Sequence, residues 1–244
     1  MMTWRVLAIS LILVGAVAVQ PAHAAPRDLR VCTVNIQDTP DMPDWKVRAD
    51  AREARQNCDL ILWQEIRDRS DYQAIQGRGW KSTARAEGGV PISWRTSALT
   101  PISRAKTLRV SDPTPRCPNG RPSYNPARWI TVKGFGGFTA VNLHFPNGAW
   151  GDPKKNCRQE DRKARWRQAF TNTKAALPSR PVIVGGDWNR PERDIPDMVS
   201  TQHWISPANR TDHVLVARTG MTVQSRFVRN LHSDHHVIGT RLRR

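Results

Sequence analysis

The stretch Pro181–Asn189, PVIVGGDWN, limits most strongly what this chain can fold into. Val182, Ile183 and Val184 form an unbroken apolar run after a proline, the pattern of a strand buried on both faces. Gly185 and Gly186 then predict a sharp backbone turn, and Asp187 and Asn189 follow with only Trp188 between them. If the backbone is extended there, the carboxylate and the carboxamide point the same way, because side chains alternate with period two. Polar groups at the mouth of a buried strand lie where sites are usually built. The same residues also suit an Asx-rich turn that merely closes a strand.

The pattern of an apolar run ended by a polar group recurs along the chain. Leu29–Ile36 reads as a β-branched strand containing Asn35 near its end, and Asp59–Glu65 as a second buried strand delivering Glu65. Between them, Val47, Ala51 and Ala54 have helical spacing over Trp45–Gln56. Gly79–Val110 breaks into short strand-like pieces without helices, which argues for antiparallel meanders. Arg128–Lys133 and Phe138–Phe145 flank Gly134-Phe135-Gly136-Gly137 as a hairpin. A helix is expected from about Gln159 to Ala176, burying Trp166, Ala169, Phe170, Thr173 and Leu177. Arg158, Arg162 and Arg165 are expected on another of its faces, solvated or turned to phosphates. Pro191–Pro207 reads as irregular, and His213–Ala217, Thr222–Val228 and His236–Arg241 as closing strands.

The first residues read as a targeting segment rather than part of the fold. Arg5, the apolar run Val6–Val19 and Ala22-His23-Ala24 have the order of a secretory signal peptide cleaved after Ala24. The expectation is a secreted, extracellular protein whose residues 25–244 form one domain, with no stable membrane insertion and a monomeric state. Cys32, Cys58, Cys117 and Cys157 then suggest disulfides, paired Cys32–Cys58 and Cys117–Cys157, and no C-x-x-C pair offers a zinc site. The formal net charge is +17, with arginine heavily outnumbering lysine, which favours a polyanionic partner and says nothing about catalysis.

Collected, the strand ends present Asn35, Glu65, Asn142, His144, Asp187, Asn189, Asp212 and the run Ser233-Asp234-His235-His236. TVNIQ, ILWQEIRD, AVNLHFP, VGGDWNRP, TDHVLV and SDHHVIG together resemble the ordered motifs of the endonuclease/exonuclease/phosphatase superfamily, to which deoxyribonuclease I belongs. The resemblance implies a four-layer α/β sandwich, two mixed β-sheets face to face with helices outside, and metal-dependent cleavage of phosphate esters. Carried over by position, Glu65 would be the principal Mg²⁺ ligand, with Asn35 and Asp234 near it; Mn²⁺ or Ca²⁺ would suit the same oxygens. Asp187 and Asn189 would orient water and phosphate, and His235, oriented by Asp212, would act as base or phosphate stabiliser. His144 would donate to the phosphate or the leaving oxygen, with Arg128 and Asn142 as phosphate-binding residues. One departure bears on the subgroup, since Gln37 stands where some apurinic-site nucleases carry an acidic metal ligand; separately, Glu87 is a weak candidate partner for His144.

Fold does not fix substrate in such a superfamily. The basic surface and the arginines favour a polymer of phosphates, so the expected activity is a nonspecific DNA endonuclease, with RNA as a further nucleic-acid partner. Trp150 and Trp188 are candidates to stack on base or sugar, against core packing. The alternatives are a phospholipid- or sphingomyelin-type phosphodiesterase or phosphatase, and an idle polyanion-binding module.

Overall fold

The computed structural model describes residues 28–36, 42–84, 88–114, 124–150, 158–207, 211–218 and 220–244. The expected signal segment, Gln37, Glu87 and the Cys117–Cys157 pair lie outside the described residues. The chain begins with β1 (Asp28–Asn35), α1 (Asp44–Asn57) and β2 (Leu60–Gln64). A short helix, α2 (Arg69–Ala74), leads to β3 (Trp80–Ser82), β4 (Ile92–Arg95), β5 (Thr100–Pro101) and β6 (Lys106–Arg109). Next come β7 (Pro126–Lys133), β8 (Phe138–His144), α3 (Gln159–Ala176) and β9 (Val182–Asp187). The chain closes with β10 (Gln202–Ile205), β11 (Asp212–Ala217), β12 (Thr222–Asn230) and β13 (His236–Arg243).

Two βαβ crossovers organise these elements. β1 and β2 are parallel neighbours joined through α1, and β8 and β9 are parallel neighbours joined through α3. Around them the remaining strands add antiparallel, giving one sheet in the order β12-β13-β1-β2-β4-β3 and another in the order β10-β11-β9-β8-β7-β5, with β6 also paired to β7. Because both crossovers run the same way within their sheets, each unit carries polar residues at the carboxyl ends of its two strands. That edge holds Asn35 and Glu65 from one sheet and His144 and Asp187 from the other.

Three apolar clusters hold the layers together. Leu60, Leu62 and Ile238 of the first sheet meet Ile183, Val214 and Phe138 of the second in the inter-sheet core. Trp166, Ala169 and Phe170 of α3 pack on Val141, Val184 and Leu215, outside the second sheet. Val47, Ala51 and Ala54 of α1 pack on Val34, Ile61 and Trp63, outside the first. The result is helix, sheet, sheet, helix, the architecture expected. The Cys32–Cys58 disulfide ties β1 to the C-cap of α1, just ahead of β2, with Cα atoms 6.1 Å apart.

The two glycines of VIVGGDWN do a different job from the one their sequence suggests. Both lie within β9 rather than in a turn. A Cβ on Gly185 would come within 2.4 Å of Leu62 Cδ1, so glycine lets the facing sheets approach. Gly186 has φ +155°, and a Cβ there would meet the Leu143 carbonyl oxygen at 2.0 Å. One element was not anticipated, and two expectations, for Gln202–Ile205 and Arg162, are corrected. Arg69–Ala74 is a helix, started by a capping box in which Asp68 accepts from the Asp71 N–H. Gln202–Ile205 is a strand within the segment expected to be irregular, pairing antiparallel with β11. Arg162 lies on the buried face of α3, four residues before Trp166, and its guanidinium donates to the Asn147 carbonyl.

Candidate active site

Register brings the polar strand ends together. β9 lies between β8 and β11, and Asp187 stands opposite His144 on one side and Asp212 on the other. The paired sheet contributes from across the interface: Asn35 Nδ2 donates to Asp187 Oδ2 at 3.1 Å and reaches Glu65 Oε1 at 3.5 Å. His144 Nε2 lies 3.6 Å from Asp187 Oδ2 and 4.0 Å from Glu65 Oε1. His235 Nδ1 lies 2.7 Å from Asp212 Oδ2, and its Nε2 lies 4.0 Å from Asp187 Oδ2. Asp187 is therefore the hub, with an imidazole on either side and a carboxamide from the opposite sheet.

Two of these residues are held in unusual backbone conformations. Glu65, just past β2, has φ +63°, and Asn189, just past β9, has φ +50°. For a glutamate this left-handed conformation costs energy and persists only when the surroundings impose it. It turns the chain sharply at the sheet edge, where the carboxylate also pairs with Arg67. Asn189 does not continue the strand as the extended reading required. Its N–H donates to Asp187 Oδ1 at 2.8 Å and its Nδ2 to the Phe145 carbonyl at 2.9 Å, so it braces Asp187 against the end of β8.

The loop carrying His235 is fixed from behind by Asp50 of α1, which sequence reasoning missed. Its buried carboxylate accepts from the backbone N–H of His232 and of Ser233 and pairs with His232 Nδ1 at 2.7 Å. Ser233 Oγ in turn donates to the Asn35 carbonyl and accepts from the His235 N–H. An aspartate on the buried helical stripe with Val47, Ala51 and Ala54 was the available signal.

The electrostatics of the Asp212–His235 pair follow from this packing. Burial opposes charge on the imidazole, but the hydrogen bond and charge of Asp212, with Asp187 and Asp234, outweigh it and lift His235 from 6.5 to about 9. Burial and the nearby Asp187 charge push Asp212 from 3.8 up to about 6, against the pull of His235. Between those values the pair is a carboxylate and an imidazolium. Asp212 Oδ1 is buried and has no partner among the described residues.

Other expected site residues are placed differently. Asn142 is not a phosphate ligand. It is wholly buried, its Nδ2 donates to the Trp63 and Pro91 carbonyls at 2.6 and 2.8 Å, and its Oδ1 accepts from Gln64 Nε2 at 2.6 Å. With both amide protons spent across the sheets, it has none for a substrate. Asp234 sits on the rim, its side chain 63% exposed and 3.5 Å from His235 Nε2. Arg128 is buried opposite Asn142 and donates to Thr107 Oγ1, while its Nε has no partner among the described residues. Trp188 is core, its indole N–H bonded to the His213 carbonyl. The Trp150 ring is covered by the Arg190 guanidinium at 3.9 Å.

The site's chemistry suits a hard divalent cation. Asp187, Asp212 and His235 offer ligand atoms within 4.8 Å of one another, but Asp212 Oδ2 and His235 Nδ1 are already bonded together. The oxygens that remain, on Glu65, Asp187 and the Asn35 carboxamide, are the donor types such an ion prefers.

A layered sandwich with carboxylates, carboxamides and a His–Asp pair at one sheet edge defines the class of phosphoester hydrolases. The Endonuclease/Exonuclease/phosphatase family matches residues 32–235, and the chain belongs to it. Among solved structures, humanized D. rerio TDP2 aligns at 14% identity and TM-score 0.64, over 89% of this chain and 100% of that one. An endonuclease/exonuclease/phosphatase protein of Beutenbergia cavernae aligns at 15% and 0.63, over 89% and 72%. The Bacteroides thetaiotaomicron mannosyl-6-phosphatase Bt3783 aligns at 13% and 0.53, over 88% and 98%. At these identities the likeness establishes the fold. No curated protein matches the sequence.

Proposed function

We propose that the protein is a secreted phosphodiesterase that cleaves DNA without strong sequence preference, with RNA as a further nucleic-acid partner. The observation carrying this reading is the gathering of Glu65, Asn35, His144 and the Asp212–His235 pair around Asp187. Support for a nucleic-acid substrate comes from the +17 charge and from D. rerio TDP2, a structural neighbour also solved with a single-stranded DNA product.

A phosphodiester repels an incoming hydroxide, so the site must neutralise charge and align water with the leaving oxygen. A Mg²⁺ ion held by Glu65, with Asn35 and Asp187 beside it, supplies neutralisation when bound. The protein's own groups do the rest. His235, an imidazolium oriented by Asp212, donates its Nε2 proton to a non-bridging phosphate oxygen. Asp187, held in place by Asn35 and by the Asn189 N–H, accepts the proton that the attacking water releases. His144 donates to the leaving oxygen.

The test is incubation of the mature protein with supercoiled plasmid, sphingomyelin and p-nitrophenyl phosphate, each with Mg²⁺ or EDTA. The expected result is Mg²⁺-dependent plasmid cleavage. Turnover of lipid or monoester with intact plasmid would refute the nuclease reading.

A further inference from the structure

A groove lies on the helix-covered face of the second sheet, remote from the strand edge that carries the site. It encloses about 420 Å³, within the range of roughly 300–1,000 Å³ typical of small-molecule pockets. Thr139, which lines it, precedes His144 by five residues along β8, about 17 Å at 3.4 Å per residue. The inter-sheet core takes Phe138 and Ala140, and the helix-side core takes Val141. Thr139 therefore points toward the α3 side, away from the inter-sheet face.

The lining divides into two halves. Ile102, Leu108, Trp129 and Pro178 give an apolar floor. Ile102 is 61% exposed and Leu108 41%, two of the four large hydrophobic side chains left exposed among the described residues. Around this floor stand Arg104, Lys106 and Arg180, with no acidic residue in the lining. None of the three cations makes an ion pair or side-chain hydrogen bond among the described residues.

The groups that still lack a partner reveal what the groove can accept. The Trp129 indole N–H is buried without an acceptor among the described residues. The hydroxyls are engaged: Ser103 Oγ accepts from the Thr131 N–H, Thr107 Oγ1 from Arg128, and Thr131 and Thr139 bond each other. The lining side chains without any partner among the described residues, three cations and one indole N–H, are all donors. The complementary ligand has an acceptor-only head and a body that asks for no hydrogen bonds.

We propose that this groove is a binding site for a monomeric amphiphilic anion. Its hydrocarbon body would lie on Ile102, Leu108, Trp129 and Pro178. Its carboxylate or phosphate head would meet Arg104, Lys106 and Arg180. Three of the four floor residues, Ile102, Leu108 and Pro178, are aliphatic, which suits a hydrocarbon body better than a stack of bases.

Dodecyl phosphate below its micelle concentration, titrated calorimetrically into the full protein, tests this. One-to-one binding is expected, weakened at least tenfold by Leu108→Glu and by Arg180→Glu. Both positions are exposed, so the variants fold, and their phosphodiesterase activity stays at the wild-type level. Glu65→Gln protein should bind dodecyl phosphate normally, which separates this groove from the active site whatever that site hydrolyses. Binding lost in Glu65→Gln, or kept in both groove variants, would overturn the proposal. So would equal affinity for inorganic phosphate, or association with phosphatidylglycerol vesicles but not with the monomer.

Discussion

Replacing Asn142 by alanine separates a structural tie from a substrate contact. The native side chain makes three hydrogen bonds between the sheets, to the Trp63 and Pro91 carbonyls and from Gln64 Nε2, and is fully buried. Two of those partners keep another bond: the Pro91 carbonyl accepts from the Trp63 N–H, and Gln64 Nε2 donates to the Leu62 carbonyl. The Trp63 carbonyl bears the heaviest loss. Taking about 1–3 kcal/mol for a buried group left unpaired, and about 1 kcal/mol for each of the other two bonds, the loss is about 3–5 kcal/mol. For a domain of this size each kcal/mol lowers Tm by about 2–4 °C, so a drop of about 10 °C is expected. Urea and thermal unfolding measure the loss, and kinetics well below Tm should show an unchanged KM. A wild-type unfolding midpoint with a tenfold higher KM would refute this reasoning and return Asn142 to the phosphate.

Three further outcomes are expected. In metal-free protein, His235 should titrate near 9 by NMR and fall toward its ordinary range in Asp212→Asn. Its folded pKa exceeds the unfolded value of about 6.5, so its stabilisation is complete below that value and is lost as pH rises through 9. Denaturation midpoints that rise over that interval would contradict the pairing. Asp50→Asn should lower kcat about tenfold, roughly 1.4 kcal/mol, without raising KM, because it loosens the Ser233–His235 loop rather than touching substrate. An unchanged kcat would remove its positioning role. Gly186→Ala should lose more than about 3 kcal/mol in urea melts, since both its φ and the Leu143 carbonyl oppose a side chain.

The parts of this fold legible in the sequence were those written as uninterrupted runs. The apolar stretches ending at Asn35, Glu65, His144 and Asp187 marked four strand ends, and the α3 stripe from Trp166 to Thr173 marked a helix whose bounds were read correctly. What escaped depended on partners distant in sequence. Asn142 and Asp50 look like any polar residue until the Trp63 carbonyl and the His232 N–H are brought to them. Gly185 signals a turn unless Leu62 of the opposite sheet is known to press on it. α2 and β10 are too short for periodicity to show, although Asp68-Arg69-Ser70-Asp71 carried a capping signature. Arg162 was misplaced for a different reason, since its four-residue spacing from Trp166 already put it on the buried stripe.

The convergence of these side chains on one working site is tested most directly by a mutant cycle on metal-supplemented hydrolysis of bis(p-nitrophenyl) phosphate. Glu65→Gln and His235→Ala should each lower kcat by at least about 10²-fold. As members of one unit, the double variant should lie within about tenfold of the worse single. Losses that multiply, or single variants that turn over at the wild-type rate, would contradict the account.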